Sequence, residues 1–169
     1  MAASILTGEE TRPVECPGLV DVAYMADILR TLGCRIHSGD GALTIDPQSL
    51  NRHEVPDALA KKVRSSIFLL GSILARFRKA TVTFPGGCEI GLRPIDLHLS
   101  GLRQLGVDVR EEGGLIRCDG RHMRAGTVHF DYPSVGATEN VMMAAALLKG
   151  RTVLSNVARE PEIPDLQDF

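Results

Sequence analysis

The sequence predicts an α/β fold, of the α+β kind, built from a repeated unit of helices and short strands. Apolar residues at helical spacing alternate with short runs rich in Val, Ile and Thr, and glycines separate the two kinds of segment. Two long segments of the chain also resemble each other, which is typical of a repeated architecture. With 169 residues, 44% of them apolar and 24% charged, the chain is long enough for one globular domain with a core.

The clearest repeat joins residues 22–46 (VAYMADILRTLGCRIHSGDGALTID) and residues 95–119 (IDLHLSGLRQLGVDVREEGGLIRCD). Each segment predicts a helix that ends in Leu-Gly, a short strand, a glycine-bearing turn and a second strand. The two Leu-Gly pairs end at Gly33 and Gly106, 73 residues apart. A glycine directly after a helix suits a left-handed C-terminal cap, and the turns predict hairpins.

A second element recurs in residues 3–16, 71–84 and 144–156, each predicting a small-residue helix followed by a strand. The repeated unit is therefore about 70 residues long, in the order helix, strand, helix, strand, strand. The last residues, EPEIPDLQDF, predict the start of a further helix. We expect residues 1–169 to form a single domain with two near-complete repeats and partial units at its ends, as part of something longer.

Composition argues against several classes of protein. A net charge of −2 and an aromatic content of 4% argue against a nucleic-acid partner, and no apolar run reaches the length of a membrane span. The N-terminus has no signal-peptide pattern. Four cysteines (Cys16, Cys34, Cys88 and Cys118) without a CxxC pair argue against a metal site and a disulfide scaffold, which favours a reducing cytoplasm.

The stretch FPGGCEIGLRP, residues 84–94, carries the most specific chemistry. Two glycines place Cys88 on a loop rather than in a core, although an ordinary turn containing a cysteine fits equally well. Arg93 directly precedes a helix that Pro94 can open, with Asp96 in the first turn. Arg64 lies in the first turn of a helix predicted over residues 61–77. Arginines beside helix N-termini can complete phosphate sites, and the alternative is that both are merely solvated.

Residues 131–145, DYPSVGATENVMMAA, repeat this arrangement. The stretch from Ser134 to Gly136 leads into a helix whose cap is either Ser134 or Thr138. The first backbone amides of that helix can hold a phosphate or a sugar. By itself this is a weak signal.

Four stretches together, FPGGCEIGLRPIDLH, RSSIFLLGSILARF, PSVGATENVMMAA and NVAREPEIPDL, make the chain resemble the UDP-N-acetylglucosamine 1-carboxyvinyltransferase family over its whole length. The resemblance implies the enolpyruvyl transferase fold, in which βαβαββ units form half of an inside-out α/β barrel. It also implies transfer of the enolpyruvyl group of phosphoenolpyruvate to the 3-hydroxyl of UDP-N-acetylglucosamine, without a cofactor, in cytoplasmic peptidoglycan synthesis.

Residue by residue, the resemblance makes Cys88 the acid that protonates phosphoenolpyruvate and the target of fosfomycin. It assigns Arg64 and Arg93 to the anionic groups of the substrates. Glu89, beside the cysteine, would raise the pKa of the thiol, and Tyr132 occupies a position that varies in the family. The remaining implied contacts are the uridine pocket (Arg93, Pro94, Ile95, Asp96, Leu97) and the diphosphate and sugar loop (Ser134, Val135, Gly136).

The family's Lys-Asn motif and its second globular half, which carries the general base, are not in this sequence. We therefore expect one wall of a cleft, a second half as partner, and at most trace turnover by the chain alone. The alternative is a non-catalytic nucleotide-sugar binding half-protein that needs a second chain, and assays with and without that half separate the two. The loops PGGC and SVGAT argue against a shikimate-pathway enolpyruvyl transferase or an RNA 3′-phosphate cyclase.

Overall fold

The structure is a computed structural model of the chain, and it describes residues 1–39, 41–84 and 95–169. The first part of the chain forms a short 3₁₀ helix, two α-helices and one hairpin. Their bounds are Ala3–Ile5 for the 3₁₀ helix, Val20–Leu32 for α1, Arg35–Gly39 for β1, Ala42–Asp46 for β2 and Asp57–Ala60 for α2.

The remaining elements follow in the same alternation of helices and strands. A second 3₁₀ helix, Arg64–Phe68, runs directly into α3. The others are α3 (Leu69–Phe77), β3 (Lys79–Thr83), α4 (Asp96–Gln104), β4 (Asp108–Glu112), β5 (Leu115–Asp119), β6 (Thr127–His129), α5 (Val135–Ala145), β7 (Val153–Ser155) and α6 (Glu162–Asp168).

The strands form three small sheets. β1 and β2 pair as an antiparallel hairpin, and β4 and β5 form a second hairpin to which β3 adds, in the order β3-β5-β4. β6 and β7 are parallel, with α5 as the crossover between them. This is the predicted mixture of helix and sheet, and the described residues form no closed barrel.

The predicted left-handed glycine caps are present at the ends of α1 and α4. Gly33 adopts a φ of 111° and donates its N–H to the carbonyl of Arg30 at 3.0 Å. Gly106 adopts a φ of 90° and donates to Arg103 at 2.9 Å. Residues that carry a side chain rarely adopt such φ angles, so both positions favour glycine.

The core lies where the helices meet. α5 packs against both α3 and α4, and α3 also packs against β3. The largest fully buried side chains include Leu69, Leu70 and Ile73 of α3 and Leu99 and Leu102 of α4. Burial of this apolar surface holds the first turns of the three helices in fixed relation to one another.

Two predicted elements differ from the structure. The helix predicted over residues 61–77 begins only at Arg64, as a 3₁₀ helix, because the β-branched Val63 is extended with a φ of −136°. The serine Oγ of Ser66 also donates to the carbonyl of Ala60 at 3.2 Å, which caps the preceding turn. The strand predicted within residues 3–16 is reduced to one bridge, from Thr11 to Ile45, since Pro13 has no N–H for a ladder.

Candidate functional site

The starts of three helical segments meet in one place: the 3₁₀ helix Arg64–Phe68, α4 and α5. The rings of Phe68 and His98, one from the 3₁₀ helix and one from α4, lie edge to face with centroids 6.3 Å apart. Gly136, in the first turn of α5, lies against both, because a Cβ built there would be 3.1 Å from His98 Cε1 and 3.4 Å from Phe68 Cζ. The convergence places Gly136 of α5 beside His98 of α4, which directly follows Leu97 in the chain.

Arg64 is the first residue of its 3₁₀ helix and is half-buried. Its guanidinium lies close enough to His98 to contribute to lowering the pKa of that imidazole. A positive charge at the start of a helix adds to the attraction that the helix end already has for anions. Arg64 therefore adds positive charge near His98, where the helix starts meet.

At the start of α4, Ile95 is buried and anchors the first turn, while Asp96 is exposed and Leu97 is half-buried against the core. The N–H of Leu99 closes this turn on the carbonyl of Ile95 at 3.1 Å. The three residues therefore combine an apolar anchor with a polar side chain that faces solvent.

At the start of α5, Ser134 is the cap, since its Oγ accepts the N–H of Ala137 at 3.3 Å. Thr138 has a different role: its Oγ1 donates to the carbonyl of Ser134 at 2.7 Å and accepts the N–H of Ala158 at 3.2 Å. The amides of Val135 and Gly136 come before Thr138, whose N–H makes the first intrahelical hydrogen bond, to the carbonyl of Ser134 at 2.9 Å. They point out of the helix end, where its dipole favours negative charge.

Two buried polar residues behind these helix starts were not predicted from the sequence. Asn140 of α5 is fully buried, and its side-chain amide lies 3.0 Å from His98 Nδ1, 3.0 Å from the carbonyl of Ile67 and 2.6 Å from the N–H of Gly71. Burial, with a smaller effect of Arg64, lowers the pKa of His98 to about 4. The imidazole is therefore neutral at physiological pH. The available signal was a polar residue on an otherwise apolar helix face.

Cys88, Glu89, Arg93 and Pro94 lie outside the described residues, so their predicted roles stay predictions. Tyr132 is 71% exposed.

The other three cysteines are free thiols. Cys34 and Cys118 are buried, and burial raises the pKa of Cys34 to about 11 and that of Cys118 to about 12. Cys16 is half-buried. Two of the three are therefore poor nucleophiles at neutral pH, since the thiolate is the reactive form.

Within residues 1–39, 41–84 and 95–169, no helix combines the length and apolar character that crossing a bilayer requires. The same residues contain no cluster of three or more His, Cys, Asp or Glu side chains able to hold a metal ion.

Curated relatives match the whole chain. It is 49% identical to UDP-N-acetylglucosamine 1-carboxyvinyltransferase 2 of Caldanaerobacter subterraneus subsp. tengcongensis. It is 48% identical to UDP-N-acetylglucosamine 1-carboxyvinyltransferase 1 of Carboxydothermus hydrogenoformans. All residues of the chain are covered in both matches, and the chain spans 40% of the length of each relative.

Solved structures show the same fold at lower sequence identity. The enolpyruvyl transferase NikO from Streptomyces tendae superposes with a TM-score of 0.86 at 22% identity, over 99% of this chain and 40% of that one. EPSP synthase from Acinetobacter baumannii superposes with a TM-score of 0.70 at 18% identity, over 95% of this chain and 38% of that one. The fold is that of the enolpyruvyl transferases.

The model of one protein family matches residues 1–169, the full chain. Its description is EPSP synthase (3-phosphoshikimate 1-carboxyvinyltransferase). Sequence, fold and relatives agree, and the chain belongs to this family of enolpyruvyl transferases.

Proposed function

We propose that this chain forms one wall of an active site that transfers the enolpyruvyl group of phosphoenolpyruvate to the 3-hydroxyl of UDP-N-acetylglucosamine, with release of phosphate. The observation that carries the proposal is the convergence of Arg64 with the first turns of α4 and α5. The names of the relatives at 48–49% identity favour the nucleotide sugar over 3-phosphoshikimate as acceptor.

The two substrates carry carboxylate, phosphate and diphosphate groups, which a wall of hydrogen-bond donors suits. The outward amides of Val135 and Gly136 would hold the diphosphate, and Arg64 would neutralise part of its charge. The uridine pocket would be lined by Arg93 and Pro94 and by the three residues that follow them, Ile95, Asp96 and Leu97. Phosphate oxygens accept hydrogen bonds, and both backbone amides and the guanidinium donate them.

The reaction is an addition followed by an elimination. The 3-hydroxyl of the sugar gives up its proton to the general base that we expect in the second half, and its oxygen attacks the phosphate-bearing carbon of phosphoenolpyruvate. In the same addition the methylene carbon of phosphoenolpyruvate takes a proton, which we assign to the thiol of Cys88. The tetrahedral adduct then loses phosphate and a proton from its methyl group, which restores the double bond. Thiols titrate closer to neutral pH than hydroxyls, and this suits Cys88 as an acid.

Binding of UDP-N-acetylglucosamine to the chain tests the nucleotide-sugar part of the proposal. In a titration followed by NMR, we expect the amide signals of Val135 and Gly136 to shift and to saturate. Arg64→Gln should weaken the binding about 10-fold or more, because it removes a charge-assisted contact. The matched control is Arg151→Gln, which removes the same charge from an exposed residue beyond the far end of α5. Equal affinities of the two variants would exclude Arg64 from the site.

Brief labelling with a substoichiometric electrophile, read by mass spectrometry, tests the role of Cys88. We expect Cys88 to react first and Cys16 second, while Cys34 and Cys118 stay unlabelled because burial raises their pKa values to about 11 and about 12. Label found mainly on Cys16 would contradict an activated Cys88.

We also propose a reducing, cytoplasmic location for the protein, which the free thiols of the described cysteines support.

Turnover separates the enzyme from a half-protein that only binds nucleotide sugars. We expect phosphate release by the chain alone to be at most a trace, since a missing proton-transfer group typically costs about 10²–10⁴-fold. Addition of the complementary segment of the Caldanaerobacter relative should raise the rate. Saturable binding without any turnover in the mixture would favour the non-catalytic module.

A further inference from the structure

We propose that Asn140 is a positioning residue that holds His98 as a neutral imidazole with its proton on Nε2, so that the ring offers an N–H donor at the first turn of α5. The hydrogen bonds that Asn140 makes with Gly71, Ile67 and His98 determine the tautomer. That this donor serves an anionic substrate rests on the proposed function.

The orientation of the Asn140 amide follows from a neighbour that can only donate. The backbone N–H of Gly71 lies 2.6 Å from Oδ1, so this atom is the amide oxygen. Nδ2 then lies 3.0 Å from the carbonyl of Ile67, an acceptor that matches it. The reverse orientation would face an N–H with an NH₂ group and a carbonyl with an oxygen, in a fully buried site.

The tautomer of His98 follows from that orientation. The second hydrogen of Asn140 Nδ2 points to His98 Nδ1 at 3.0 Å. An amide nitrogen only donates, so Nδ1 accepts, and the single proton of the neutral ring resides on Nε2. A proton on Nδ1 would break this bond inside the core. The buried site and the charge of Arg64 also oppose an imidazolium, and the pKa of His98 falls to about 4.

The Nε2 edge of the ring lies against the start of α5. A Cβ built on Gly136 would be 3.1 Å from His98 Cε1 and 3.2 Å from Nε2, so glycine allows the ring to lie against the first turn. The same place holds the outward amides of Val135 and Gly136 and the half-buried Arg64. All of these groups donate. Such a wall fits the oxygens of a phosphate or diphosphate, and an acceptor nitrogen at Nε2 would repel them.

The Asn140 cluster is also held in place by close packing. A Cβ on Gly71 would collide with the main-chain carbonyl oxygen of Asn140, so α3 and α5 approach to backbone contact there. Asn140 and Gly71 are both buried. The amide therefore has no room to rotate, which is what a positioning residue requires.

Nitrogen-15 NMR of the imidazole tests the tautomer on the chain without ligand. At pH 7 we expect His98 to show a protonated Nε2 and an unprotonated Nδ1. In Asn140→Asp the donor becomes an acceptor of the same size, so the proton should move to Nδ1 or the ring should become charged. A wild-type His98 protonated on Nδ1, or charged at pH 7, would overturn the proposal whatever the chain binds.

Affinity for UDP-N-acetylglucosamine tests whether the Nε2–H donor of His98 contributes to binding. We expect Asn140→Asp and His98→Met to weaken binding about 10-fold or more, and His98→Gln, which keeps a terminal N–H donor, to recover part of the loss. The matched control is Ser72→Ala at the same α3–α5 interface, where the buried hydroxyl donates to Met143 Sδ at 3.1 Å. It should alter neither the tautomer nor the affinity.

The possible failures are distinguishable. If the wild-type chain binds no nucleotide sugar, the proposed function fails and the NMR spectrum alone decides the tautomer. If the wild type binds and Asn140→Asp binds equally well with an altered tautomer, the positioning role is wrong while the proposed function stands. Urea unfolding of each variant identifies any loss of binding caused by loss of the fold.

Discussion

The two helix–hairpin units, α1-β1-β2 and α4-β4-β5, have the same backbone framework but different side chains on their helices. Gly33 and Gly106 end the two helices in the left-handed conformation, and each lies against a carbonyl 16 residues further on. A Cβ would be 2.5 Å from the oxygen of Ser49 in the first unit and 2.8 Å from that of His122 in the second. The backbone therefore repeats even where the side chains have diverged.

Two of the differences bear on the proposed site: one helix position and one connection. Met25 of α1 corresponds to His98 of α4, 73 residues later; Met25 is buried and lines a cavity of about 300 Å³, whereas His98 bonds to Asn140. The chain before each helix also differs in length. Cys16 and Phe84 make the same hydrogen bond to the turn of their hairpins, but α1 follows after three residues and α4 only after the segment that contains Cys88. A shared scaffold thus acquires chemistry through one polar replacement and one longer connection.

Equivalent core leucines test the shared framework with the largest expected effect. Leu29 and Leu102 are both fully buried, 73 residues apart. We expect Leu29→Ala and Leu102→Ala each to lower the free energy of unfolding by about 2–5 kcal/mol, through lost burial and the cavity left behind. Urea unfolding measures both losses. A loss below about 1 kcal/mol in only one unit would show that the two cores are not equivalent.

The replacement of Met25 by His98 gives the second unit a pH dependence that the methionine cannot give the first. The pKa of His98 is about 4 in the folded chain and 6.5 ordinarily, so the unfolded state binds the proton first. The contribution of neutral His98 to the free energy of unfolding is therefore fully present above pH 6.5 and is lost as the pH falls through 4. The loss amounts to roughly 3 kcal/mol.

His98→Met, which gives the second unit the residue of the first, should remove this part of the acid sensitivity. The measurement is urea unfolding of both proteins at several pH values between 7.5 and 4. Identical slopes of unfolding free energy against pH would mean that His98 titrates normally. Met25→Leu, a change of similar volume in the first unit, is the control and should leave the slope unchanged.

The two glycines sharpen the comparison at a smaller scale. Gly33→Ala and Gly106→Ala place a Cβ at a positive φ, which costs roughly 1–2 kcal/mol, and the nearby carbonyls add to it. We expect similar falls in the melting temperature of both variants. Gly126→Ala is the control, since nothing lies within 4 Å of its Cβ position and its φ is not positive. If Gly106→Ala left the melting temperature unchanged while Gly33→Ala lowered it, the two helix ends would not be equivalent.

The smallest effect is expected where buried cysteines correspond to aliphatic residues. Cys34 corresponds to Val107 and Cys118 to Ile45, and all four are buried. Cys34→Val and Cys118→Val should therefore change the free energy of unfolding by less than about 1.5 kcal/mol, because free cysteines in cores act as small apolar residues and valine is close to them in volume. A larger loss, measured by urea unfolding, would show that either thiol has a specific role.

Local features were predictable from the sequence because they depend on neighbours along the chain. The helix ends at Gly33 and Gly106 and both hairpins follow from apolar spacing and from glycine's freedom at positive φ. The predicted helix at the end of the chain is α6. The family resemblance assigned Arg64 and the residues around Ser134 to the substrates, and in the structure Arg64 and Gly136 both lie near His98.

The tertiary structure decided what depends on distant partners. The cap of α5 is Ser134 rather than Thr138 because the helix begins at Val135, which places Thr138 inside it. There the hydroxyl of Thr138 accepts a hydrogen bond from Ala158, 20 residues away. Asn140 and His98 are 42 residues apart, and each alone is an unexplained polar residue on an apolar helix face. Buried polar groups require partners, and the packing of α4 against α5 selects which groups become partners. Spacing along a helix defines its faces, but only packing determines what each face meets.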